Sequence, residues 1–190
     1  MNVYDFDKTI YNGDSTIDFY LFSLMRNPLL IGHLPAQTWG FLLYLFGKIT
    51  KTAFKERFFR FVRSIDYDAY VADFWVRNKK KMAKWYMEQQ QDDDVVISAS
   101  PDFLLRPICQ QLGIRHLIAS EVDPKTGAFT GANCYGVAKV ERFREAFGEQ
   151  HVHHFYSDSR SDLPLAQLAE HAFLIVKGEI IPWDGVSEEK

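Results

Sequence analysis

Cysteine is scarce in this chain of 190 residues: only Cys109 and Cys134 occur, and no CxxC spacing is present. Two cysteines this far apart supply neither a disulfide framework nor a thiolate zinc site, so we expect a reducing, cytoplasmic environment. We also expect no secretory leader, because an apolar strand pattern begins within a few residues of Met1.

A long uninterrupted apolar run is also missing. The nearest approach is residues 29–49, in which His33, Pro35 and Gln37 interrupt the first half. A membrane-spanning helix needs about 20 predominantly apolar residues, so we do not expect this segment to cross a bilayer. With 47% hydrophobic residues, the chain can instead bury one core and a small appended unit.

Two carboxylates follow the first apolar segment. Asp5 and Asp7 come directly after residues 1–4, whose pattern predicts a β-strand. Side chains two positions apart in an extended chain point to one face, so both carboxylates can address one substrate group. A carboxylate can attack phosphorus while its neighbour protonates the leaving oxygen. The alternative is a turn that closes a strand, because Asp is common in turns.

A second buried-strand pattern, over residues 95–97, ends in polar groups. Ser98 and Ala99 follow it, and a hydroxyl with backbone N–H groups at a strand tip can hold phosphate oxygens. The alternative is that Ser98 and Ser100 only form a turn before Pro101.

The last two polar segments lie in the C-terminal half. Lys139 begins an amphipathic stretch and adds a positive charge, and Asp158 and Asp162 follow a strand pattern over residues 151–156. Carboxylate oxygens of this kind suit Mg²⁺. The alternative for Lys139 alone is a solvated lysine on a helix, and the alternative for Asp162 alone is the N-cap of the next helix. Those alternatives do not account for the order in which the four segments occur.

In this order the segments resemble the haloacid-dehalogenase-like superfamily, in its phosphoserine-phosphatase-like branch. The resemblance covers nearly the whole chain and implies a Mg²⁺ site whose direct ligands are the Asp5 and Asp158 carboxylates and the Asp7 backbone carbonyl, with Asp162 behind them. It assigns the nucleophile to Asp5, the acid/base to Asp7, phosphate binding to Ser98, Ala99 and Lys139, and metal binding to Asp5, Asp7, Asp158 and Asp162. Dehalogenase members lack the second aspartate, so Asp7 indicates phosphoryl chemistry.

Within that branch the chain is similar to the phosphatidylglycerophosphate phosphatase C family. The likeness rests on Asn27-Pro28-Leu29-Leu30, on Ser98 to Pro101 and on residues 156–164. Phosphoserine phosphatases carry a substrate-binding glutamate where Asp14 aligns here, and we can align no carboxylate-binding arginine. Asp14 is therefore a candidate substrate contact, and the departure argues against phosphoserine as the substrate.

Beyond the first strand, the pattern is helical from about residue 15 to residue 91 and then alternates strands and helices. We predict strands over 95–97, 117–119, 151–156 and 172–176, and helices over 103–112, 137–147 and 163–171. Such alternation predicts an α/β fold with a parallel sheet. The expected architecture is a Rossmann-like core of residues 1–12 and 92–190, with a helical cap of residues 13–91 inserted after the first strand.

The predicted cap differs in charge from the rest of the chain. Residues 13–91 contain 12 Lys and Arg against 7 Asp and Glu, a net charge of +5, whereas the remaining residues carry −8. The cap also holds three of the four tryptophans. Basic and aromatic residues suit an anionic membrane surface or a phosphate-rich substrate, and the alternative is that the aromatics pack inside the cap. We expect Lys48, Lys51 and Lys55 to share one helical face.

Two further binding functions are not expected. No nucleic-acid-binding module accompanies the basic cluster. His151 and His153 alternate along a strand like a ligand pair, but a partly exposed strand face is the simpler interpretation.

The sequence therefore predicts a Mg²⁺-dependent phosphomonoester hydrolase acting through an aspartyl-phosphate. The substrate class is a small-molecule or lipid phosphomonoester, with peripheral contact to the inner, anionic face of a membrane and no nucleic-acid partner. The alternatives are a phosphoserine-type metabolite phosphatase and a catalytically idle phospholigand-binding module. Oligomeric state is not predicted.

Overall fold

The fold is built on one six-stranded sheet. We describe residues 1–183 from a computed structural model. The strands are β1 (Asn2–Tyr4), β2 (Val95–Pro101), β3 (His116–Ser120), β4 (Val152–Ser157), β5 (Ala169–Val176) and β6 (Glu179–Pro182). Their order is β3-β2-β1-β4-β5-β6, with every neighbouring pair parallel except β5 and β6. The predicted α/β class with a mostly parallel sheet is confirmed.

Helices make up most of the connection from β1 to β2, and we call residues 13–91 the helical insert. Its helices are α1 (Ser15–Arg26), α2 (Leu34–Leu45), α3 (Lys51–Phe59), α4 (Tyr67–Asn78) and α5 (Lys84–Gln89), with 3-10 turns at Pro28–His33, Arg60–Ser64 and Lys79–Lys81. After β2 come α6 (Asp102–Gln111), α7 (Val137–Phe147), a 3-10 turn at Arg160–Asp162 and α8 (Leu163–Ala166).

Capping residues divide the insert into separate helices. The side chains of Asp14, Thr50 and Asp66 each accept a hydrogen bond from the backbone N–H three residues on, at 3.0, 3.1 and 3.4 Å. Such caps satisfy N–H groups that a helix start leaves without an internal partner. The continuous helical pattern is therefore five short helices rather than one rod.

Both faces of the sheet are covered. Val3 and Tyr4 are fully buried and point to opposite faces of β1. Tyr4 belongs to an aromatic cluster that includes Phe61 and Trp75 of the helical insert, whereas Val3 packs with Phe143 of α7 on the other face. The insert thus rests on one side of the sheet, next to the ends of its strands.

A loop of the sheet region holds the insert in place. Gly127 has a φ of +75°, and a Cβ there would lie 2.8 Å from the backbone C and O of Phe59. Close by, the Glu56 carboxylate accepts a hydrogen bond from the Phe129 N–H at 3.1 Å. Only glycine tolerates both this conformation and this approach, so α3 and the loop meet backbone to backbone.

Several predicted elements are wrong. The predicted helix over 163–171 ends at Ala166, because β5 begins at Ala169 and pairs with β4 from that residue onward. The antiparallel strand β6 was not predicted; all four of its residues are exposed, so it carries no alternation of buried and exposed positions. Lys48 lies between α2 and α3, so only Lys51 and Lys55 share a helical face.

Candidate active site

The predicted site residues gather at one edge of the sheet. Asp5 follows β1, Ser98 lies in β2, and Asp158 follows β4. Because β1 lies between β2 and β4, these three carboxyl ends are adjacent, which is where parallel sheets bind ligands. A cavity of about 340 Å³ opens there. All eight predicted residues line it: Asp5, Asp7, Asp14, Ser98, Ala99, Lys139, Asp158 and Asp162.

A buried lysine joins two of the carboxylates. Lys139 Nζ lies 2.6 Å from Asp5 Oδ1 and 2.7 Å from Asp162 Oδ2, and its side chain is only 2% exposed. Burial alone would lower the pKa of Lys139, but attraction to Asp5 and Asp162 outweighs it and raises this pKa. Lys139 is therefore a fixed cation and not a solvated helix lysine.

Asp162 serves this lysine and does not cap a helix. Its side chain makes no hydrogen bond to the start of α8. Its Oδ2 instead accepts from Ser157 Oγ at 2.8 Å and from Lys139. Asp162 occupies the N-cap position of α8, but the alternative that capping is its only role is wrong, because its carboxylate turns back toward the strand ends.

Asp5 lies in a strongly desolvated position. Burial raises its pKa to about 7, with Lys139 opposing the shift and Asp162 adding to it. The Lys139 bond engages Oδ1, and among residues 1–183 no side chain donates to the second oxygen. One carboxylate oxygen is thus held while the other remains available to a ligand in the cavity.

Asp7 is held from two sides. Its Oδ1 accepts from the Ser15 N–H at 2.6 Å, and its Oδ2 accepts from Ser100 Oγ. Ser100 Oγ in turn lies 3.0 Å from Thr16 Oγ1. Burial raises the pKa of Asp7 to about 6. The start of α1 and the end of β2 therefore orient a carboxyl whose pKa lies above its ordinary range.

The tip of β2 is ordered by polar contacts that the sequence did not reveal. Ser98 Oγ accepts from the Ser100 N–H at 3.1 Å. The Ala99 carbonyl accepts from Lys55 Nζ at 2.8 Å and from Ser120 Oγ at 3.1 Å. Lys55 belongs to α3, so the insert contacts the predicted phosphate-binding segment directly.

The donor set at the cavity fits a hard divalent cation. Among residues 1–183, no side chain donates a hydrogen bond to the Asp158 carboxylate, and burial raises its pKa. The described chain contains no preformed group of three or more acidic, His or Cys side chains for a metal. The predicted set needs only two carboxylates and the Asp7 carbonyl, and Mg²⁺ usually takes one or two carboxylates with waters.

The two candidate histidines lie elsewhere. His151 Nε2 lies 3.5 Å from Glu170 Oε1, and His153 Nδ1 pairs with the other oxygen of the same carboxylate. Both imidazoles are at least half exposed on the sheet surface. Both contact one carboxylate on the exposed surface of the sheet, outside the cavity.

The family model for haloacid dehalogenase-like hydrolases matches residues 3–167. That range covers the sheet from β1 to α8 together with the whole insert, and the chain therefore belongs to this family. The family predicted from the order of the polar segments is confirmed.

Individual relatives add detail. The chain is 34% identical, over 89 residues, to a probable phosphatase of Mycobacterium tuberculosis, a match that covers 43% of this chain and 31% of that protein. Two solved structures share its fold. One is a protein of unknown function from Bordetella pertussis, with a TM-score of 0.72 and 18% sequence identity over 90% of this chain and 87% of that chain. The other is a phosphoserine phosphohydrolase-like protein from Francisella tularensis, with a TM-score of 0.58 and 17% sequence identity over 94% of this chain and 90% of that chain.

Proposed function

We propose that this protein is a Mg²⁺-dependent phosphomonoester hydrolase that works through an aspartyl-phosphate on Asp5. The supporting observation is the buried Asp5–Lys139–Asp162 arrangement beside Asp7 in one cavity. In this proposal residues 1–12 and 92–190 form the catalytic core, of which residues 184–190 lie outside the described residues, and the helical insert acts as its cap.

The chain's own groups would hold the transferring phosphoryl group. Lys139, Ser98 Oγ and the backbone around Ala99 face the cavity and can donate to phosphate oxygens. The Asp5 and Asp158 carboxylates and the Asp7 carbonyl would hold Mg²⁺, and Asp162 would act behind them through Lys139 and Ser157. Bound Mg²⁺ supplies charge neutralisation at the phosphoryl oxygens.

The first chemical step uses both aspartates. An oxygen of Asp5 forms a bond to phosphorus while the bond from phosphorus to the substrate alcohol breaks, and Asp7 gives its proton to the departing oxygen. The Lys139 contact to Asp5 Oδ1 limits rotation of the nucleophile. The raised pKa of Asp7, about 6, helps it carry the proton it must give.

The second step regenerates the enzyme. Asp7, now ionised, takes a proton from a water molecule that attacks the aspartyl-phosphate. The bond between phosphorus and Asp5 breaks, and inorganic phosphate leaves. The hydrogen bonds from Ser15 and Ser100 keep Asp7 in one orientation through both steps.

We propose an amphiphilic phosphomonoester as the substrate, with phosphatidylglycerophosphate the leading candidate, and reversible association with the inner face of an anionic membrane. The insert's side of the cavity supports this substrate class, since Ile17, Phe54 and Phe58 line it together with Lys51. Apolar walls with a positive charge suit an anionic group on a hydrophobic body. Asp14 lines the same cavity while it caps α1, and is the proposed contact for a polar part of the substrate.

Turnover of p-nitrophenyl phosphate by the purified protein tests the proposal. We expect hydrolysis that requires added Mg²⁺ and disappears in Asp5→Asn. A panel of phosphoserine, sugar phosphates, nucleotides and phosphatidylglycerophosphate in mixed micelles then tests the substrate class, with the lipid preferred. Tight phosphate binding without turnover of any substrate would instead indicate an idle phospholigand-binding module.

A further inference from the structure

Helix α2 presents apolar side chains to the solvent. Trp39, Leu42 and Leu45 of α2 are 61%, 38% and 59% exposed, and Phe46 directly after the helix is 74% exposed. Leu29 and Ile31 in the preceding 3-10 turn are 85% and 62% exposed. We call these six residues the apolar face. Large apolar side chains clustered in this way mark a surface that contacts another phase or molecule.

The inner side of α2 explains this inverted polarity. Only Gln37 and Gly40 of the helix are buried. Gln37 accepts from Tyr20 OH at 2.6 Å and donates to the Phe58 carbonyl at 3.0 Å. A Cβ on Gly40 would lie 3.1 Å from Arg57 Cδ. Because Gln37 and Gly40 face the rest of the insert, α2 packs with its apolar side toward the solvent.

The surroundings of the apolar face are positively charged. No Asp or Glu occurs between Asp18 and Glu56, and residues 29–64 contain six Lys and Arg against Glu56 alone. Within residues 1–183 none of these six forms a salt bridge with a carboxylate, and Glu56 is turned toward the Phe129 N–H. Lys48, Arg60 and Arg63 are exposed.

The apolar face also lies beside the site. Tyr44 of α2, Lys51 and Tyr135 line a groove next to α3. Lys51 and Tyr135 also line the cavity of the candidate site, and Lys51 Nζ lies 3.4 Å from the centre of the Tyr135 ring. A surface in contact with the C-terminal end of α2 would therefore be next to the cavity mouth.

We propose that the apolar face is an interfacial anchor, with α2 lying in the plane of an anionic bilayer and its basic neighbours on the headgroups. Apolar residues flanked by cations without carboxylates are the composition of helices that bind in this way. A second copy of the chain is disfavoured, because a two-fold contact would bring two basic rims together. The anchor rests on the proposed function, because it would hold the enzyme at the membrane that contains the amphiphilic substrate. Vesicle binding can nevertheless be measured independently of turnover.

Tryptophan fluorescence offers a direct measurement. Of the four tryptophans, Trp39 is 61% exposed, Trp75 and Trp183 are buried, and Trp85 is partly buried. Phosphatidylglycerol vesicles should shift the emission to the blue, whereas phosphatidylcholine vesicles and high salt should leave it unchanged. Trp39→Phe should still co-sediment with phosphatidylglycerol vesicles but lose the shift.

Paired variants locate the anchor. Leu45→Ser/Phe46→Ser should weaken vesicle binding roughly 100-fold, since insertion of each of the two apolar side chains into the bilayer contributes about tenfold or more. Lys48→Ala should weaken it about fivefold at low salt. The matched control Val76→Ser/Ile180→Ser changes two exposed apolar residues outside the apolar face and should bind like the unmodified protein.

Hydrolysis of p-nitrophenyl phosphate is measured on the same samples. Unchanged hydrolysis by Leu45→Ser/Phe46→Ser would show that the variant is folded. Vesicle binding in a protein without any hydrolysis would support the anchor and refute the proposed function. Equal vesicle binding by Leu45→Ser/Phe46→Ser and its control would overturn the anchor. A dimer that depends on Leu45 and Phe46, without vesicle binding, would also overturn it.

Discussion

The sheet edge and the helical insert use charge in opposite ways. At the sheet edge Asp5, Asp7 and Asp162 are each held by a hydrogen bond or an ion pair. Among residues 1–183, the cations of residues 29–64 in the insert instead form no ion pair with a carboxylate, and they lie next to an exposed apolar face. Bonded, desolvated groups are suited to chemistry that needs a fixed geometry. Cations that no carboxylate neutralises are suited to recognition of a varied anionic surface.

This difference between the two regions predicts that substitutions at the sheet edge affect the chemical steps, whereas substitutions in the insert affect substrate binding. Asp5→Asn should give the largest effect, a loss of turnover of roughly 10⁵-fold or more, comparable to removal of a nucleophile in other enzymes. An amide cannot form the acyl phosphate, yet it can still accept from Lys139. Steady-state hydrolysis of p-nitrophenyl phosphate measures the loss, with Asp123→Asn as the control outside the cavity. Near-normal turnover by a folded Asp5→Asn variant would contradict the aspartyl-phosphate mechanism.

Removal of Mg²⁺ should stop turnover almost completely and reversibly. Excess chelator should abolish hydrolysis, and re-added Mg²⁺ should restore it. Asp158→Asn should require at least about tenfold more Mg²⁺ for half-maximal activity, because one of two charged ligands is lost. His151→Ala/His153→Ala serves as the control and should titrate normally. Full activity in chelator, or dependence on the two histidines, would contradict this assignment.

Asp7→Asn should slow turnover by roughly 10²–10⁴-fold, the usual contribution of general acid/base catalysis. The loss should be larger for alkyl phosphates than for p-nitrophenyl phosphate, since a good leaving group needs little protonation. Rates for a series of leaving groups measure this dependence. A loss of equal size across the whole series would remove Asp7 from the role of acid.

Ser100→Ala should reduce kcat about tenfold, equivalent to about 1.4 kcal/mol of transition-state stabilisation. The change removes one of the two hydrogen bonds that orient Asp7. The effect should shrink for good leaving groups, which a purely structural role would not produce. Ser64→Ala, in the insert and outside the cavity, is the control. A change in KM alone would place Ser100 in substrate binding.

Lys51→Ala should give the smallest effect and the one that tests the insert. We expect KM for an anionic amphiphilic phosphate to rise about fivefold, the value of roughly 1 kcal/mol for one surface cation. The kcat should remain within about twofold, because Lys51 lines the cavity beside the Tyr135 ring and, among residues 1–183, makes no hydrogen bond or ion pair with Asp5 or Asp7. Lys84→Ala, at an exposed position of α5, is the matched control. A large fall in kcat would place the insert in the chemical steps.

Local spacing explains what the sequence could predict. The positions of Asp5 and Asp7 depend only on their following β1, and the strand–helix alternation brings the ends of β2 and β4 beside them. The start of α7 before Lys139 was also predicted with its full range, residues 137–147. These features are encoded within about ten residues of each group.

Contacts that depend on how the insert folds back could not be predicted. Lys55 reaches the Ala99 carbonyl across 44 positions of sequence, and Ser15 reaches Asp7 only because Asp14 starts α1 there. The alternative in which the aromatic residues pack inside the insert describes the buried Trp75 but not the exposed Trp39. In each case the contact or the exposure depends on tertiary structure, which local sequence patterns do not encode.

The glycine contact between Gly127 and α3 bears on how this chain can be recombined with its relatives. A donor insert with a different backbone at Phe59 would collide with the loop, and a donor loop with any side chain at position 127 would collide with this insert. Residues 121–133 and α3 are therefore a single exchange unit. Chimeras intended to transfer substrate preference should take α3 and residues 121–133 from the same parent, so that the backbone at Phe59 and the residue at position 127 remain compatible.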